Sequence, residues 1–375
     1  MKTSDVLIIG AGVIGLSIAR ELHKRGVGKI CIVEKGAVGR ESSWAAAGIL
    51  APQIEADIDD DFFRLCFESN RIYRQFADEL RDETNIDIEL DQSGTLYLGF
   101  HDKDSAEIRE RYEWQRAAGL EIEHLTADET LRLEPNLSPN VRESLYFPRE
   151  GQVENRKLVE ALVRYAELNG INIIDNSEVG RVLIKDGIVT GAETRNETYA
   201  ADVVVVASGA WTSTIKFGEI NLPIQVKPIR GQMICYRPPT PICHHVVYSH
   251  RGYLVPRADG RLLAGATAED TGFDKSTTET GIHNLQTAAI EIAPKLETIE
   301  IVDKWAGLRP YAAGGRPVIG RVPGVNGLFI ATGHFRNGIL LAPITARLIA
   351  DAIAGNEQDI FLKSFGLNRV EIIGK

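Results

Sequence analysis

The feature that most constrains this chain is a glycine-spaced turn close to its start. Residues 5–10 read DVLIIG, a short apolar run of strand type. The string GAGVIG at 10–15 then sets glycines at Gly10, Gly12 and Gly15. Residues 13–25 continue with helical spacing: Ile14, Ile18 and Leu22 share one face, and Glu21 can pair with Arg25 across a turn. Gly26 is a stop, residues 29–33 read as the next strand, and Glu34 ends it. This is a strand–turn–helix–strand unit in which each part has a reason. Gly10 permits the tight turn, Gly12 lets backbone approach a pyrophosphate, and Gly15 lets helix and strand pack. The helix N-terminus offers N–H groups and partial positive charge to phosphates. The Glu34 carboxylate is placed to accept from ribose hydroxyls and disfavours a 2′-phosphate. FAD and NAD both stay open on this unit alone.

The rest of the composition narrows the class. A length of 375 residues suits two domains sharing a cleft, and 44% hydrophobic with 25% charged residues is ordinary for a soluble globular protein. A net charge of −10 lacks the basic footprint of a nucleic-acid binder, so an anionic substrate needs a local basic site. The cysteines Cys31, Cys66, Cys235 and Cys243 form no CxxC pair and read as reduced thiols of a cytoplasmic protein. Cys243, His244 and His245 adjoin, but no second cluster matches them and no metal site is expected. The acidic run DIDDD at 57–61 lacks EF-hand spacing and reads as a solvated loop or helix start. Lys2 and the apolar run 7–19 mimic a signal peptide, but the glycine spacing and Asp5 argue for the nucleotide turn. No other stretch is long and apolar enough to span a bilayer, so no membrane partner is expected.

Two further segments bear on the cofactor. Residues 40–50 read RESSWAAAGIL, with hydroxyls at Ser42 and Ser43 and small residues from Ala45 to Gly48. Small side chains let a helix start lie against a large planar ligand, and hydroxyls can bond phosphate or ribityl groups. Near the other end, GHFRNGILLAP at 333–343 follows a strand at 327–331 and leads into a helix reaching about residue 354. A helix N-terminus aimed at the pyrimidine edge of a flavin would stabilise negative charge on the reduced ring. An NAD enzyme needs no such late segment. Between them, ADVVVVASG at 201–209 reads as a strand buried on both faces.

These segments, in this order, resemble the D-amino-acid-oxidase superfamily of flavoproteins, and within it the glycine oxidase family that supplies an imine for thiamine thiazole synthesis. The motifs VLIIGAGVIG, SSWAAAGIL, YLVPRADGRLLAGAT, WAGLRP and GHFRNGILLAP carry the likeness and span residues 6–343. The resemblance implies flavin contacts at Ile14, Gly15, Glu34, Lys35, Ser42, Ser43, Ala47, Gly48, Ile49 and Val179, and at His334, Phe335, Arg336, Asn337, Gly338, Ile339 and Leu340. It implies substrate-carboxylate contacts at Tyr253, Arg309 and Arg336. It also implies a homo-oligomer, with a homotetramer as its form. Some sarcosine and dimethylglycine enzymes tether flavin through a histidine where this chain has Ala45, and monomeric sarcosine oxidases use a cysteine near WAGLRP. No cysteine follows Cys243 here, so the expected FAD is non-covalent.

The implied chemistry is removal of an α-hydrogen as hydride by flavin N5, with O2 reoxidising the flavin to give H2O2. Glycine is the favoured substrate, with sarcosine or D-alanine admitted by the small residues Gly265, Ala266 and Ala268. The cofactor carries the hard step, so the protein's work is orientation and charge. An arginine fork suits a carboxylate in a way lysine does not. Arg309 is the expected main clamp, Arg336 adds positive potential, and the Tyr253 hydroxyl adds a hydrogen bond. Tyr253 falls in a strand read over 248–257, where alternation puts Arg251, Tyr253 and Val255 on one face. A hairpin through Ala258, Asp259 and Gly260 joins it to 261–268.

The expected architecture is α/β. A Rossmann-like FAD-binding unit takes residues 1–85, 145–220 and 300–375. An α+β substrate unit on a mostly antiparallel sheet takes 86–144 and 221–299, with strands at 225–230, 232–236, 248–256 and 261–266 and a helix at 280–293. Such a sheet laid over the flavin would exclude water from the hydride transfer. Competing readings are a dehydrogenase passing electrons to a quinone or carrier, a flavin-binding subunit without catalysis, and an NAD-linked dehydrogenase.

Overall fold

A computed structural model describes residues 2–220 and 222–367. The valines Val204, Val205 and Val206 are fully buried in the strand Thr198–Val206, because β-branched side chains on both faces are stable only between covered layers. That strand pairs in parallel with Lys2–Ile9 and with Leu328–Thr332. Outward from Lys2–Ile9 come Ile30–Val33 and Asn172–Ile174, again parallel, as helical crossovers require. On the other flank, Ile188–Thr194 and Val179–Lys185 add an antiparallel extension and Val318–Arg321 pairs with Leu328–Thr332. The helices Val13–Lys24, Asp61–Thr84, Asn155–Leu168 and Ala342–Ile353 bury their apolar stripes against this sheet in one continuous core. The late helix Ala342–Ile353 packs directly on Val13–Lys24, so the last third of the chain does return to the first nucleotide unit.

The second sheet runs Ile301–Tyr311, Lys227–Tyr236, Leu262–Gly265, Gly252–Pro256, Val246–Ser249, Thr95–Gly99, Glu143–Phe147, Glu123–Thr126. Its pairings are antiparallel except that of Val246–Ser249 with Thr95–Gly99. The helix Glu279–Ile292 covers its outer face. The inner face meets the small-residue segment through Ala45, Ala47, Met233, Val255, Leu263 and Trp305.

Several local expectations change. The two short strands expected at 225–230 and 232–236 are one, Lys227–Tyr236, because Gly231 keeps the ladder continuous opposite Gly307. The single strand expected over 248–257 is a hairpin of Val246–Ser249 and Gly252–Pro256. Arg251 therefore lies in the turn, where its N–H donates to Ser249 Oγ at 3.2 Å, and does not share a strand face with Tyr253. Ile301–Tyr311 and Glu143–Phe147 belong to the second sheet, although the segment limits at 300 and 145 put all of the first and the end of the second with the nucleotide unit. A strand's sheet is chosen by hydrogen-bond register with a distant partner, which chain order does not reveal. The acidic run starts a helix: Asp60 Oδ1 accepts from Phe63 N at 2.8 Å and caps Asp61–Thr84. The four cysteines are buried, and His245 is engaged by Glu134 at 2.6 Å. Among the described residues no helix is long and apolar enough to cross a membrane.

Candidate active site

One elongated cavity runs between the two sheets. Its nucleotide end is built by the turn at Gly10 and Gly12. Gly10 has φ +111°, and a Cβ there would stand 2.5 Å from the Ala207 carbonyl oxygen. Gly15 does not line the cavity. A Cβ on it would strike the Gly10 carbonyl oxygen at 1.9 Å, so its smallness serves helix–strand contact. Gly12 caps the helix without a side-chain bond and the first turn holds no acid, which leaves the positive helix end toward the cavity. Glu34 lines the cavity but is already engaged: Oε2 accepts from Ala11 N at 2.7 Å and Oε1 from Gly36 N at 3.2 Å. Burial pushes its carboxyl above the usual range, against those two bonds. Lys35 lies 3.8 Å over the Trp211 ring and donates to Glu41 at 2.8 Å, which closes this end with an aromatic wall.

The middle of the cavity is the segment after Glu41. Both serines do more than wait for a ligand. Ser43 Oγ accepts from Val13 N at 2.9 Å, and Ser42 Oγ donates to the Leu308 carbonyl. Trp305 Nε1 donates to the Ala45 carbonyl at 3.0 Å, and a Cβ on Gly307 would lie 2.4 Å from Ala45 Cβ. Gly48 has φ +70° with its α-carbon face against the Val153 carbonyl, 2.0 Å from where a Cβ would be. Ala47, Gly48, Ile49 and Val179 line the cavity beside these ties. The nucleotide turn, the small-residue segment and WAGLRP are thus hydrogen-bonded in series before any ligand is considered. A turn shaped for pyrophosphate, a helix end free of acid and a floor without bulky side chains fit an extended dinucleotide.

The far end collects Arg309, Arg336 and Tyr253, as expected from sequence. Arg309 Nη1 donates to the Thr267 carbonyl at 2.8 Å. Its guanidinium occupies space that any side chain at position 231 would fill, since a Cβ on Gly231 would stand 2.2 Å from Nη1. Burial lowers the Arg309 pKa and Arg336 adds to that, while Tyr253 and Glu55 oppose. Tyr253 Oη donates to Met233 Sδ at 3.4 Å, and burial raises its phenol pKa against the pull of Arg309. Arg336 is exposed, 5.3 Å from the Phe335 ring.

The loop bearing Arg336 is fixed at both ends. Phe335 takes a left-handed φ of +48° and its N–H donates to the Pro310 carbonyl at 3.0 Å. His334 is buried with Nε2 3.0 Å from Thr345 Oγ1, and burial pushes its pKa down to about 3. Asn337, Gly338 and Ile339 line the cavity. Leu340 does not; its carbonyl accepts from Ser69 Oγ at 2.6 Å. The α-helix itself begins only at Ala342, after a turn in which Leu341 N donates to the Asn337 carbonyl at 2.8 Å.

Sequence reasoning missed Tyr248, Glu55, Gly231 and Trp211. A lone glycine in an apolar strand was a signal for Gly231. Nothing local marks Glu55, which follows the small-residue segment in a loop and reaches the cavity only through the chain's path.

The sequence pattern of the "DAO: FAD dependent oxidoreductase" family matches residues 5–352. Glycine oxidase of Geobacillus kaustophilus is 36% identical over 97% of this chain and 97% of its own. The bifunctional protein ThiO/ThiG of Trichormus variabilis is 34% identical over 98% of this chain, which spans 55% of that longer protein. The crystal structure of glycine oxidase from Geobacillus kaustophilus superposes with a TM-score of 0.94 at 35% identity, covering 98% of this chain and 99% of the other.

Proposed function

Since this chain belongs to the FAD dependent oxidoreductase family, we propose that it oxidises glycine at the α-carbon, taking sarcosine and D-alanine more slowly. The carrying observation is the Arg309 guanidinium, half-buried at the end of the cavity opposite the nucleotide turn and walled by Tyr253. The names of the relatives at 34–36% identity support glycine as the substrate. Bound FAD supplies the hydride acceptor and the route by which O2 becomes H2O2.

The chain's own residues do the orienting. Arg309 takes the substrate carboxylate through its fork, and the Tyr253 hydroxyl donates to the same group. Arg336 adds positive potential at the rim. With the carboxylate fixed, the α-carbon has little freedom beyond rotation, and the floor of Ala45, Ala47 and Gly48 leaves room for a planar ring against it. No side chain is asked to be a base: the amine reacts in its neutral form, after the zwitterion that binds has released its ammonium proton to solvent. His334 stays neutral across the working pH range and serves as a packed wall. The second sheet shields the site from bulk water. The two-electron product is the imine. It hydrolyses to glyoxylate and ammonia or passes to thiazole synthesis, and assembly as a homotetramer belongs to the same reading.

An amino-acid panel on the FAD-bound protein under air tests this. Glycine should give peroxide and glyoxylate in equal amounts. Flavin bleached by glycine without peroxide under air would mark a dehydrogenase, and absence of bleaching without oxygen would end the proposal.

A further inference from the structure

The substrate end of the cavity holds two guanidiniums, and a third group balances them. Glu55 lines the same wall as Arg309, Arg336, Tyr253 and Tyr248. Its Oε2 accepts from Asn337 Nδ2 at 3.4 Å. It is exposed on the cavity side, and partial loss of hydration raises its carboxyl while Arg336, Arg309 and Arg111 pull it back. The other charged or titratable groups that feel it are Tyr248, Tyr253, Cys66 and Glu150. Its place is fixed from behind. The buried Glu150 carboxyl accepts through Oε1 from the backbone N–H groups of Gln53 and Ile54, and Gln53 exchanges side-chain and backbone bonds with Gln115 at 2.9 and 2.7 Å. A carboxylate carried on so anchored a loop is preorganised.

Two guanidiniums alone would draw in any anion and repel the ammonium of an amino acid. We propose that Glu55 is the charge filter of this site: it accepts the ammonium of a zwitterion whose carboxylate lies on Arg309, and it repels a second anionic group at that position. This rests on the reading of the cavity as an amino-acid site. Glu55 also offsets the charge of Arg336, so a second carboxylate on the substrate meets a like charge beside that guanidinium. The attraction and the exclusion come from one group, which is how specificity against a related ligand is usually built.

The test uses FAD-bound wild type, Glu55→Gln and Glu55→Asp at neutral pH. Dissociation constants for acetate and malonate are read from the perturbed flavin spectrum, which needs no turnover, alongside KM and kcat for glycine. The wild type should prefer acetate to malonate. Glu55→Gln should cut that preference about tenfold and raise the glycine KM about tenfold, with kcat changed less. Glu55→Asp should keep the preference within about threefold. An unchanged preference in Glu55→Gln overturns the filter, as does an equal fall in Glu55→Asp, which would mean shape and not charge. Tighter wild-type binding of malonate than acetate overturns it whatever the variants do. If the filter behaves as expected but glycine is not oxidised, the filter stands and the glycine reading falls.

Discussion

Arg309 keeps its charge in a half-buried place because Tyr253 and Glu55 oppose the cost of desolvation, and because Gly231 leaves it room. Removing one partner of a desolvated charge pair costs about 2–5 kcal/mol. Arg309→Ala is therefore expected to lower kcat/KM for glycine at least about thirtyfold, mainly through KM. Tyr253→Phe removes one neutral donor, worth about 0.5–1.5 kcal/mol, and should cost about tenfold at most. Steady-state kinetics on both variants decides this, and an unaltered KM in Arg309→Ala removes the residue from the role. Glu150 supplies a pH prediction. Burial raises its carboxyl from 4.5 to about 8, and Oε2 has no hydrogen-bond partner. The folded state thus favours the protonated form. Its contribution to stability is whole below the unfolded value and is lost as pH rises through about 8. Glu150→Gln does not titrate, so its melting temperature relative to wild type should climb between pH 5 and 8, by about 5 °C. A pH-independent difference in thermal scans would refute this.

At the scale of elements, the segment Ser42–Ala45 with the turn after it is held less by its own hydrogen bonds than by its neighbours. Arg257, at the end of Gly252–Pro256, donates to the Ala47 carbonyl at 2.8 Å, to Val153 O at 2.8 Å and to Asn155 Oδ1 at 3.0 Å. Asn155 in turn donates to the Ser43 carbonyl at 2.8 Å. Burial lowers the Arg257 pKa to about 10 and these acceptors hold the cation in place. The substrate sheet and the nucleotide unit therefore share one small-residue floor. Gly48→Ala should break it, because a left-handed residue gains a Cβ 2.0 Å from the Val153 carbonyl. The expected result is at least about tenfold weaker FAD binding in a flavin titration, since a strained left-handed residue alone costs about 1–2 kcal/mol. Wild-type affinity would show that the floor can give. Legibility was uneven at this scale. The first unit, the helix at 280–293 and the hairpin through Asp259 were plain from period and turn chemistry. The break at His250 and Arg251 was not, because both residues are compatible with a strand and the turn is set by Ser249 and the register of Tyr248 opposite Tyr253.

Across the whole molecule, the cavity that would hold FAD lies where the two sheets meet, so cofactor binding is coupled to stability. A ligand at a hundred times its dissociation constant adds about 2.7 kcal/mol to the folded state. FAD removal should thus lower the melting temperature by several degrees, restored on adding FAD back. With Ala45 in place of a tethering histidine, acid or heat precipitation should release all the yellow colour into the supernatant; flavin kept in the pellet would mean a covalent bond. The amino-acid order alone carried the nucleotide unit, the small-residue floor and the late loop, because each is a local pattern whose spacing has a steric or dipolar meaning. It also named Arg309, Arg336 and Tyr253, through family resemblance more than through residue chemistry. Three-dimensional packing alone put Ile301–Tyr311 in the second sheet, gave Arg309 its room at Gly231, tied the motifs together through Ser42 and Ser43, and brought Glu55 into the cavity of the guanidiniums. Those are meetings of residues far apart in the chain, fixed by strand register and by which faces are buried, and no local pattern encodes them.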